Sequence, residues 1–503
     1  MKLKADLVKS MCLVTITFAA GCADLAAQKK PNFVFIMVDD QAYDLLQSSG
    51  RYPFLRTPNL NRLEREGVKF TNYFCAQSLS APQRASILTG AYSFIHGVTQ
   101  NHPKVDPDWN KTPSYTKLLQ QAGYTSAFVG KIHMANKPAA EHVRPGFDYW
   151  AAFNGQGQYT NPTLIINGVE KKQKGYITEI LTDYAIDFIK QQEHSNKPFH
   201  LCLWHKAVHE PFTPADKDQD LYAGEQLPEP PFETYNETFK GKPKWQIGRI
   251  FKATDYALLP DSVDEKKWNP EKKQFLNILK TLHAVDESLG KIFKVLEETK
   301  QLDNTVIIYT SDNGYFMGDH TLQDKRLAYD ASMRIPLLIR YPKLIKPGTS
   351  ISDLCFTLDI PVSILDLAGV KKTAVMQGES FVPLLKGESV KWRNSLFFVY
   401  FRDLEYPFSG PTQYAVRTKS YKYVDSMLKG QINELYDLEK DPGEMVNRIN
   451  DPAYASILKE MQTEAVELKN KYHYNPDGDW RIRELLGAGA IVPRVRSNDI
   501  KKK

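Results

Sequence analysis

The fold of this chain is indicated most clearly by one stretch, Asn32-Phe33-Val34-Phe35-Ile36-Met37-Val38-Asp39-Asp40. Its apolar run does not alternate with polar residues, which is typical of a strand buried on both faces of a parallel sheet. The run ends in two adjacent carboxylates, Asp39 and Asp40, which repel each other unless a cation or strong hydrogen-bond donors lie between them. A solvated turn would explain an isolated pair of aspartates, so the interpretation depends on the rest of the chain.

Three further apolar runs also end in polar clusters. Helical patterns at residues 57–67, 116–122, 178–192 and 286–300 separate the runs, which predicts an α/β fold with a largely parallel sheet. Ligands of such sheets bind beyond the carboxyl ends of the strands, so we expect the clusters to converge there. The runs and their clusters are residues 125–130 with Lys131 and His133, residues 199–204 with His205, Lys206 and His209, and residues 305–310 with Asp312 and Asn313.

A helix with Ser80 at its start is predicted by the stretch Ser80-Ala81-Pro82-Gln83-Arg84-Ala85-Ser86-Ile87-Leu88-Thr89-Gly90. Pro82 fits the first turn and Gly90 fits the position just past the last one. Backbone N–H groups and the helix dipole favour an anion near Ser80, and Arg84, one turn later, would share that face and could clamp the same anion. The alternative is that Ser80 only caps the helix and Arg84 is exposed.

Asp39, Asp40, Asp312 and Asn313 supply oxygen ligands from two strands that are distant in sequence. Such a set suits Ca²⁺, or Mg²⁺ with more water, rather than zinc. A cation there would hold an anionic substrate together with the attacking oxygen and would offset charge as an ester bond breaks.

The stretch at residues 80–90 resembles the signature of type I sulfatases, Cys or Ser followed by x-Pro-x-Arg and then Leu-Thr-Gly. Because the first position is serine, the chain is similar to the serine-type bacterial branch. The resemblance implies an alkaline-phosphatase-like fold, a mixed, largely parallel sheet flanked by helices. It also implies that a radical-type maturase oxidises Ser80 to formylglycine (3-oxoalanine) before export, and that the hydrated aldehyde attacks the sulfur of a sulfate ester.

The same resemblance assigns roles one residue at a time. It implies that Arg84 stabilises the hydrated formylglycine, that Lys131 and Lys325 bind sulfate, that His133 assists the nucleophile and that His209 protonates the leaving alcohol. The metal, usually Ca²⁺ in this family and less often Mg²⁺, would be held by Asp39, Asp40, the oxidised Ser80, Asp312 and Asn313.

Three other segments resemble bacterial carbohydrate sulfatases, in particular the N-acetylglucosamine-6-sulfatase and heparan-sulfatase group. They are residues 153–159, 326–330 and 435–442. The resemblance implies an exo-acting enzyme on an O-sulfated N-acetylhexosamine, of the 6-O-sulfated type, from glycosaminoglycan or mucin glycans. Gln156 and Tyr159 are candidate sugar contacts, with core or turn roles equally open. His320 suits either substrate or structure, whereas His205 is expected to be structural.

Two alternatives remain open at this point. The first is a phosphoester or phosphonate hydrolase, because the same sheet and metal-carboxylate arrangement serves phosphoryl transfer. The second is a non-catalytic lipoprotein that binds sulfated glycans and whose Ser80 is never oxidised. Two lysines and a single predicted metal favour the monoanionic sulfate ester.

The chain has 503 residues and a formal net charge of +6, which suits an anionic substrate without requiring one. No basic stretch with interleaved aromatic residues indicates nucleic-acid binding. Of the five cysteines, Cys75, Cys202 and Cys355 form an odd set without metal-type spacing, so we expect no disulfide framework.

Lys2 and Lys4 precede an apolar segment that ends in Ala19-Ala20-Gly21-Cys22. This pattern is similar to a bacterial lipoprotein signal at residues 1–21, with Cys22 as the lipidated first mature residue, and plain secretory cleavage is the alternative. We therefore expect an exported protein in the periplasm or at the cell surface, attached to a membrane only through that lipid.

The predicted domain boundaries follow from changes in composition and periodicity along the chain. Residues 22–390 are predicted to form the catalytic domain, with an irregular insertion over the sheet at residues 216–269. Short strands broken by turns, then a helical pattern at residues 452–472, predict a smaller antiparallel α+β subdomain at residues 391–503.

Overall fold

In the computed structural model, the decisive stretch forms strand β1 (Asn32–Val38), and all of its residues are buried. The structure describes residues 29–101, 105–134, 146–228, 239, 241–251, 272–403, 406, 410–428 and 430–475. The predicted signal segment, Cys22, much of the predicted insertion and the residues after 475 therefore lie outside the described part of the chain.

The other described strands follow in chain order. They are β2 (Val68–Phe70), β3 (Tyr73–Phe74), β4 (Thr125–Lys131), β5 (Tyr149–Phe153), β6 (Thr163–Ile166), β7 (Val169–Lys172), β8 (Phe199–Trp204), β9 (Thr305–Ser311), β10 (Phe316–Met317), β11 (Gln323–Asp324), β12 (Leu337–Arg340), β13 (Thr349–Ile351), β14 (Cys355–Phe356), β15 (Ser395–Tyr400), β16 (Gln413–Thr418), β17 (Tyr421–Asp425) and β18 (Glu434–Asp437).

The described α-helices connect these strands. They are α1 (Pro58–Glu66), α2 (Ser80–Thr89), α3 (Ser93–His96), α4 (Tyr115–Gln121), α5 (Ile177–Gln191), α6 (Trp245–Phe251), α7 (Lys272–Glu298), α8 (Asp330–Met333), α9 (Asp359–Leu367), α10 (Val382–Leu385) and α11 (Ala455–Tyr472).

Ten of the described strands form one mixed sheet in the order β13-β2-β12-β9-β1-β8-β4-β5-β6-β7. Its centre, from β9 to β5, is parallel, and the antiparallel pairings lie toward the two edges. This confirms the predicted fold class, because the parallel strands are the ones with unbroken apolar runs. The sheet places the carboxyl ends of β9, β1, β8 and β4 side by side.

Alternate residues of β1 belong to two different cores, one on each face of the sheet. Phe33, Phe35 and Met37 pack with helices α2, α4 and α9, whereas Val34 and Ile36 pack with α1, α5 and α7. Because successive side chains of a strand point to opposite faces, a strand covered on both sides must be apolar throughout. This is the physical reason for the unbroken run.

A second, four-stranded antiparallel sheet, β15-β16-β17-β18, follows with α11 packed across it, as predicted. Its inner residues, among them Phe397 and Ala415, belong to the same core as α2 and one face of β1. The smaller sheet therefore shares a core with the main sheet. The boundary at residues 390 and 391 stays a prediction.

One expectation about the elements needs correction. Helix α7 begins at Lys272, well before the predicted residue 286. The edge strands β6 and β7 were not predicted: β7 is exposed at every residue and carries no core signal, whereas Leu164 and Ile165 of β6 are buried. Cys75, Cys202 and Cys355 are buried and unpaired. Among the described residues, no helix has the length and apolar character that a membrane span requires.

Candidate active site

The polar clusters converge at the carboxyl edge of the central strands. Backbone hydrogen bonds join the loops there, from Asp39 N to the Ala207 carbonyl (2.9 Å) and from Asp312 N to the Val38 carbonyl (3.1 Å). The register pairs Val38 with Ser311 across β1 and β9. The residues that follow these strands are therefore held close together by the sheet itself.

The acidic residues form a buried group of oxygen atoms. Asp39, Asp40, Asp312 and Asn313 are each at most 1% exposed. Asp312 Oδ1 accepts from the backbone N–H groups of Asp40 (3.2 Å) and Asn313 (2.8 Å), and Asn313 Nδ2 donates to Asp40 Oδ1 (2.6 Å). Asn313 Oδ1 is buried without a hydrogen-bond partner among the described residues. This hard-oxygen set, with one orphaned amide oxygen, fits a metal ion.

Ser80 is the first residue of α2 and is fully buried beside this group. Its Oγ donates to Asp39 Oδ1 (3.3 Å) and accepts from Lys325 Nζ (3.3 Å). The residue before the helix is Leu79, in an extended conformation, and Gly90 closes the helix at φ 67°. The capping alternative for Ser80 is therefore wrong: Ser80 lies within the helix and its hydroxyl bonds across to the neighbouring strand ends.

Arg84 is also fully buried, which excludes the exposed position of that alternative. Its Nε (3.0 Å) and Nη2 (2.9 Å) lie on Asp312 Oδ2, and its Nη1 donates to the Lys131 carbonyl (2.6 Å). The guanidinium thus links α2 to the ends of β9 and β4. Arg84 fixes the carboxylate of Asp312 in place. The clamping of a bound anion that the sequence predicts for Arg84 would be a second role.

Two buried lysines neutralise the aspartates. Lys131 Nζ bonds the carboxylate of Asp39 and the side-chain oxygen of Gln156, and Lys325 Nζ bonds the carboxylate of Asp40. Burial raises the pKa of Asp40 to about 7 even though Lys325 opposes the rise. Burial also lowers the pKa of Lys131 to about 8, against the opposing charge of Asp39.

The pKa of Asp39 moves the other way. Burial works to raise it, but the charges of Lys131, His209, Arg84 and Lys325 together hold this pKa well below its usual range. The two neighbouring aspartates therefore hold protons with different strength.

Two histidines complete the group. His209 Nδ1 lies 2.9 Å from the Glu210 carbonyl and therefore carries the hydrogen, so Nε2, 3.7 Å from Asp40 Oδ2, faces the site. His209 is 8% exposed. Its pKa and that of His133 are well below the ordinary value, first because of burial and then because of Lys131. His133 has a positive φ of 56°, and its Nδ1 is a buried atom without a hydrogen-bond partner among the described residues.

The weaker candidates fall into different places. Gln156 reaches the site through Lys131. Tyr159 is 3% exposed, and its hydroxyl donates to the His209 carbonyl (2.6 Å), which is a positioning contact. His205 is buried against Ser288 (3.2 Å), as expected of a structural histidine. His320 stacks on Tyr329 and accepts from Lys242 Nζ (3.2 Å), which favours a structural role.

Sequence reasoning left Lys206 without a role. The residue is 1% exposed, its Nζ donates to the Glu210 carbonyl (3.1 Å), and it lies 4.8 Å from the centre of the Tyr159 ring. Lys206 and His209 therefore bond the same carbonyl, and Tyr159 contacts both residues. A lysine two residues after the end of a buried strand and three residues before a candidate acid is the signal that could have identified it.

Comparison with known proteins agrees with this geometry. The profile of the sulfatase family matches residues 31–370, and the profile described as N-sulphoglucosamine sulphohydrolase, C-terminal, matches residues 318–471. The chain belongs to the sulfatase family. It is therefore a sulfatase, a sulfuric ester hydrolase. The family implies a metal ion and a formylglycine residue, and the oxygen group and Ser80 are the residues that fit them.

Several sulfatases are similar over most of the chain. An N-acetylglucosamine-6-O-sulfatase of Bacteroides thetaiotaomicron is 32% identical over 92% of this chain and 93% of its own length. An N-acetylglucosamine-6-sulfatase of Homo sapiens is 32% identical over 78% of this chain and 70% of its own. A solved structure, in complex with its substrate D-glucosamine-2-N,6-O-disulfate, has a TM-score of 0.78 and 30% identity over 90% of this chain and 100% of that one.

Proposed function

We propose that this sulfatase hydrolyses the sulfate ester of an O-sulfated N-acetylhexosamine, of the 6-O-sulfated type, from glycosaminoglycan or mucin glycans. The observation that carries the proposal is the convergence of Ser80, two lysines and His209 on the carboxylate group. The substrate class is supported by an N-acetylglucosamine-6-O-sulfatase that resembles nearly the whole chain and by the related structure with a sulfated glucosamine.

Buried positive charge is what such a substrate requires. A sulfate group is a weak base with diffuse charge, so fixed cations around it stabilise both the ester and the charge that develops as it breaks. Lys131 and Lys325 are buried within hydrogen-bond reach of the carboxylates and, for Lys325, of Ser80. We propose that these two lysines hold the sulfate oxygens, and that formylglycine derived from Ser80 supplies the nucleophilic oxygen.

His209 is placed to serve the leaving alcohol. Its Nδ1–H is held by the Glu210 carbonyl, so only Nε2 is available to carry a proton toward a bound ester. A sulfate group bound beside this imidazole would raise its pKa, since an anion stabilises the protonated form. His133, near Lys131 at the end of β4, is proposed to accept a proton on the nucleophile side.

We propose Ca²⁺ as the metal. Asp39, Asp40, Asp312, Asn313 and the oxygen derived from Ser80 offer oxygen ligands, which favour hard cations. A bound Ca²⁺ would orient the sulfate and offset its charge. Titration of the metal-stripped protein with Ca²⁺ and Mg²⁺ tests this: Ca²⁺ should bind more tightly, and Asp312→Asn should weaken it. Tighter Mg²⁺ binding would contradict the proposal.

The decisive experiment measures sulfate release after coexpression with a serine-type maturase. A panel of defined sulfated mono- and disaccharides should show preference for 6-O-sulfated N-acetylglucosamine over its 3-O isomer and over 6-O-sulfated galactose. Mass spectrometry should find the Ser80 peptide two hydrogens lighter, and Ser80→Ala should abolish turnover.

Two results would redirect the proposal. Faster turnover of an aryl phosphate or phosphonate than of an aryl sulfate would favour the phosphoester hydrolase. The phosphonate monoester hydrolase of Agrobacterium radiobacter has the same fold as this chain (TM-score 0.71, 22% identity). Binding of sulfated sugars without sulfate release, by protein whose Ser80 stays unoxidised even after coexpression with the maturase, would favour a non-catalytic lipoprotein.

We also propose export to the periplasm or cell surface through a lipoprotein signal, with Cys22 acylated. The support is the sequence pattern before Cys22. Incorporation of labelled palmitate into the expressed protein, and its loss in Cys22→Ala, would test this. Release of unlabelled wild-type protein would favour plain secretory cleavage.

A further inference from the structure

A second cluster of ligand-type side chains lies on the other face of the sheet from α2. Asp218 ends a short 3₁₀ turn, Asp216–Asp218, and His283 and Glu287 lie one turn apart on α7. One ligand atom from each of the three residues lies within 4.8 Å of the other two. The spacing of four along the helix places the imidazole and the carboxylate on one face, next to Asp218.

The polar atoms of this cluster are incompletely satisfied. Asp218 is 4% exposed, and its Oδ2 is buried without a hydrogen-bond partner among the described residues. His283 Nδ1 is 3.3 Å from Asp218 Oδ1. The geometry of that contact is not one of a hydrogen bond, so Nδ1 also has no hydrogen-bond partner among the described residues. Buried carboxylate oxygens in native proteins are normally paired with donors or with a metal, so the orphaned oxygen points to a ligand.

We propose that Asp218, His283 and Glu287 bind a first-row transition dication such as Zn²⁺, at a site separate from the oxygen-only group beside Ser80. One imidazole and two carboxylates are ligands that zinc accepts, and water would complete the coordination. The side chains of His283 and Glu287 are 24% and 38% exposed, which leaves a path for the ion from solvent.

Two adjustments accompany binding. In a tetrahedral zinc site the ligand atoms lie about 2.0–2.2 Å from the ion and about 3.3–3.6 Å from each other. Side-chain atoms that are now up to 4.8 Å apart would therefore have to close by as much as about 1 Å. Lys217 contacts Glu287 Oε2 (2.7 Å) and Glu179 (2.8 Å), so its ammonium competes with the ion for one carboxylate. Removing that competitor by Lys217→Met should tighten the site.

The site would join two parts of the molecule. Asp218 lies at the end of the segment that follows β8 and carries Lys206 and His209, whereas His283 and Glu287 belong to the long helix α7. An ion bound only in the folded state stabilises that state, so zinc should raise the melting temperature.

The test uses the full chain with saturating Ca²⁺, titrated with Zn²⁺ by calorimetry and with Co²⁺ by visible absorption. We expect one Zn²⁺ per chain, weakened about tenfold or more in both Asp218→Asn and His283→Gln, as for loss of a ligand contact. His194→Gln, at an exposed histidine, is the matched control and should bind as wild type does. The visible absorption of bound Co²⁺ and the zinc-dependent rise in melting temperature should disappear in His283→Gln. Both should be kept in His194→Gln.

Three results would overturn the proposal: absence of zinc binding under these conditions, unchanged affinity in both ligand variants, or zinc binding that is lost in Asp40→Asn but kept in His283→Gln. Because His283 is partly exposed, its variant keeps the test informative if Asp218→Asn fails to fold. Melting curves without zinc establish which variants are folded.

Discussion

At the scale of single residues, the active site is a balanced group of buried charges. Asp39, Asp40 and Asp312 face Arg84, Lys131 and Lys325, and all six side chains are at most 3% exposed. Each ion is stabilised only by its partners, because burial removes the water that would otherwise solvate it. A divalent cation that took over the carboxylates would free the two lysines for an anion, so metal and sulfate binding should support each other.

Arg84 should be intolerant of a conservative change. In Arg84→Lys the ammonium cannot reproduce the contacts to both Asp312 and the Lys131 carbonyl, because lysine lacks the planar fork. We expect kcat to fall about 10²–10³-fold and the free energy of unfolding to fall by about 1–3 kcal/mol. Steady-state kinetics and urea unfolding measure both, with exposed Arg65→Lys as the control. Wild-type values of kcat and of the unfolding free energy in Arg84→Lys would contradict this prediction.

Tyr159 should act through His209. Tyr159→Phe removes the shorter of two hydrogen bonds to the His209 carbonyl (2.6 Å) and leaves only the one from Phe212 N (3.3 Å), which should loosen the imidazole. We expect kcat to fall about tenfold with KM nearly unchanged, the pattern of an interaction that matters in the transition state. Tyr176→Phe is the matched control, since that hydroxyl donates to the Thr213 carbonyl further along the same segment. A raised KM with normal kcat would instead make Tyr159 a sugar contact.

At the scale of elements, a glycine sets how closely β4 and β8 approach just before Lys131. A Cβ on Gly130 (φ 127°) would lie 1.9 Å from the Trp204 carbonyl oxygen, inside the neighbouring strand. Gly130→Ala should therefore cost several kcal/mol, more than the roughly 1–2 kcal/mol of positive φ alone, and should displace Lys131 enough to lower activity. Urea unfolding midpoints and kcat provide the test.

Gly123→Ala is the natural comparison for this variant. Gly123 also has a positive φ, 92°, but a Cβ there meets nothing within 4 Å. The difference between the two variants isolates the contact with Trp204 from the cost of the backbone conformation. Equal destabilisation of the two proteins would show that strand separation is not what Gly130 controls.

The elements also show what local sequence can predict. The central strands were predicted closely because burial on both faces leaves an unbroken apolar run. The start of α7 was placed too late, although Phe275, Ile278, Leu279 and Leu282 have helical spacing and are buried. That signal lies between the predicted insertion at residues 216–269 and the predicted helix at residues 286–300, and it was assigned to neither. Strand β7 gave no signal, since its residues are exposed and its pairing with β6 alone defines it.

At the scale of the whole molecule, the convergence of strand ends followed from one rule about parallel sheets. The strand order did not, because β1 pairs with β9 across most of the chain and such pairings depend on total packing. The partners within the site were equally inaccessible: a sequence pattern put Arg84 on the Ser80 face, but only packing sets its guanidinium on Asp312.

A buried ionic network joins helix α8 to the smaller sheet and should make stability depend on pH. Lys422 bonds Asp330 (2.6 Å) and Glu444, and Glu444 Oε2 accepts from the Asp330 backbone N–H (2.7 Å). Burial raises the pKa of Glu444 from 4.5 to about 7, although Lys422 opposes the rise. The folded protein thus holds this proton more tightly than the unfolded chain does.

Glu444 should therefore stabilise the fold below its unfolded pKa of 4.5, and that contribution should be lost as the pH rises through about 7. The loss from this group is at most about 3 kcal/mol. In Glu444→Gln, whose amide resembles the protonated carboxyl, the fall in unfolding free energy between pH 5 and pH 7.5 should be smaller than in wild type. Urea unfolding with saturating Ca²⁺ measures the slopes, and Glu388→Gln, at an exposed position, should keep the wild-type slope. An unchanged slope in Glu444→Gln would mean that Lys422 keeps Glu444 ionised throughout this range, and that the network between α8 and the smaller sheet does not titrate.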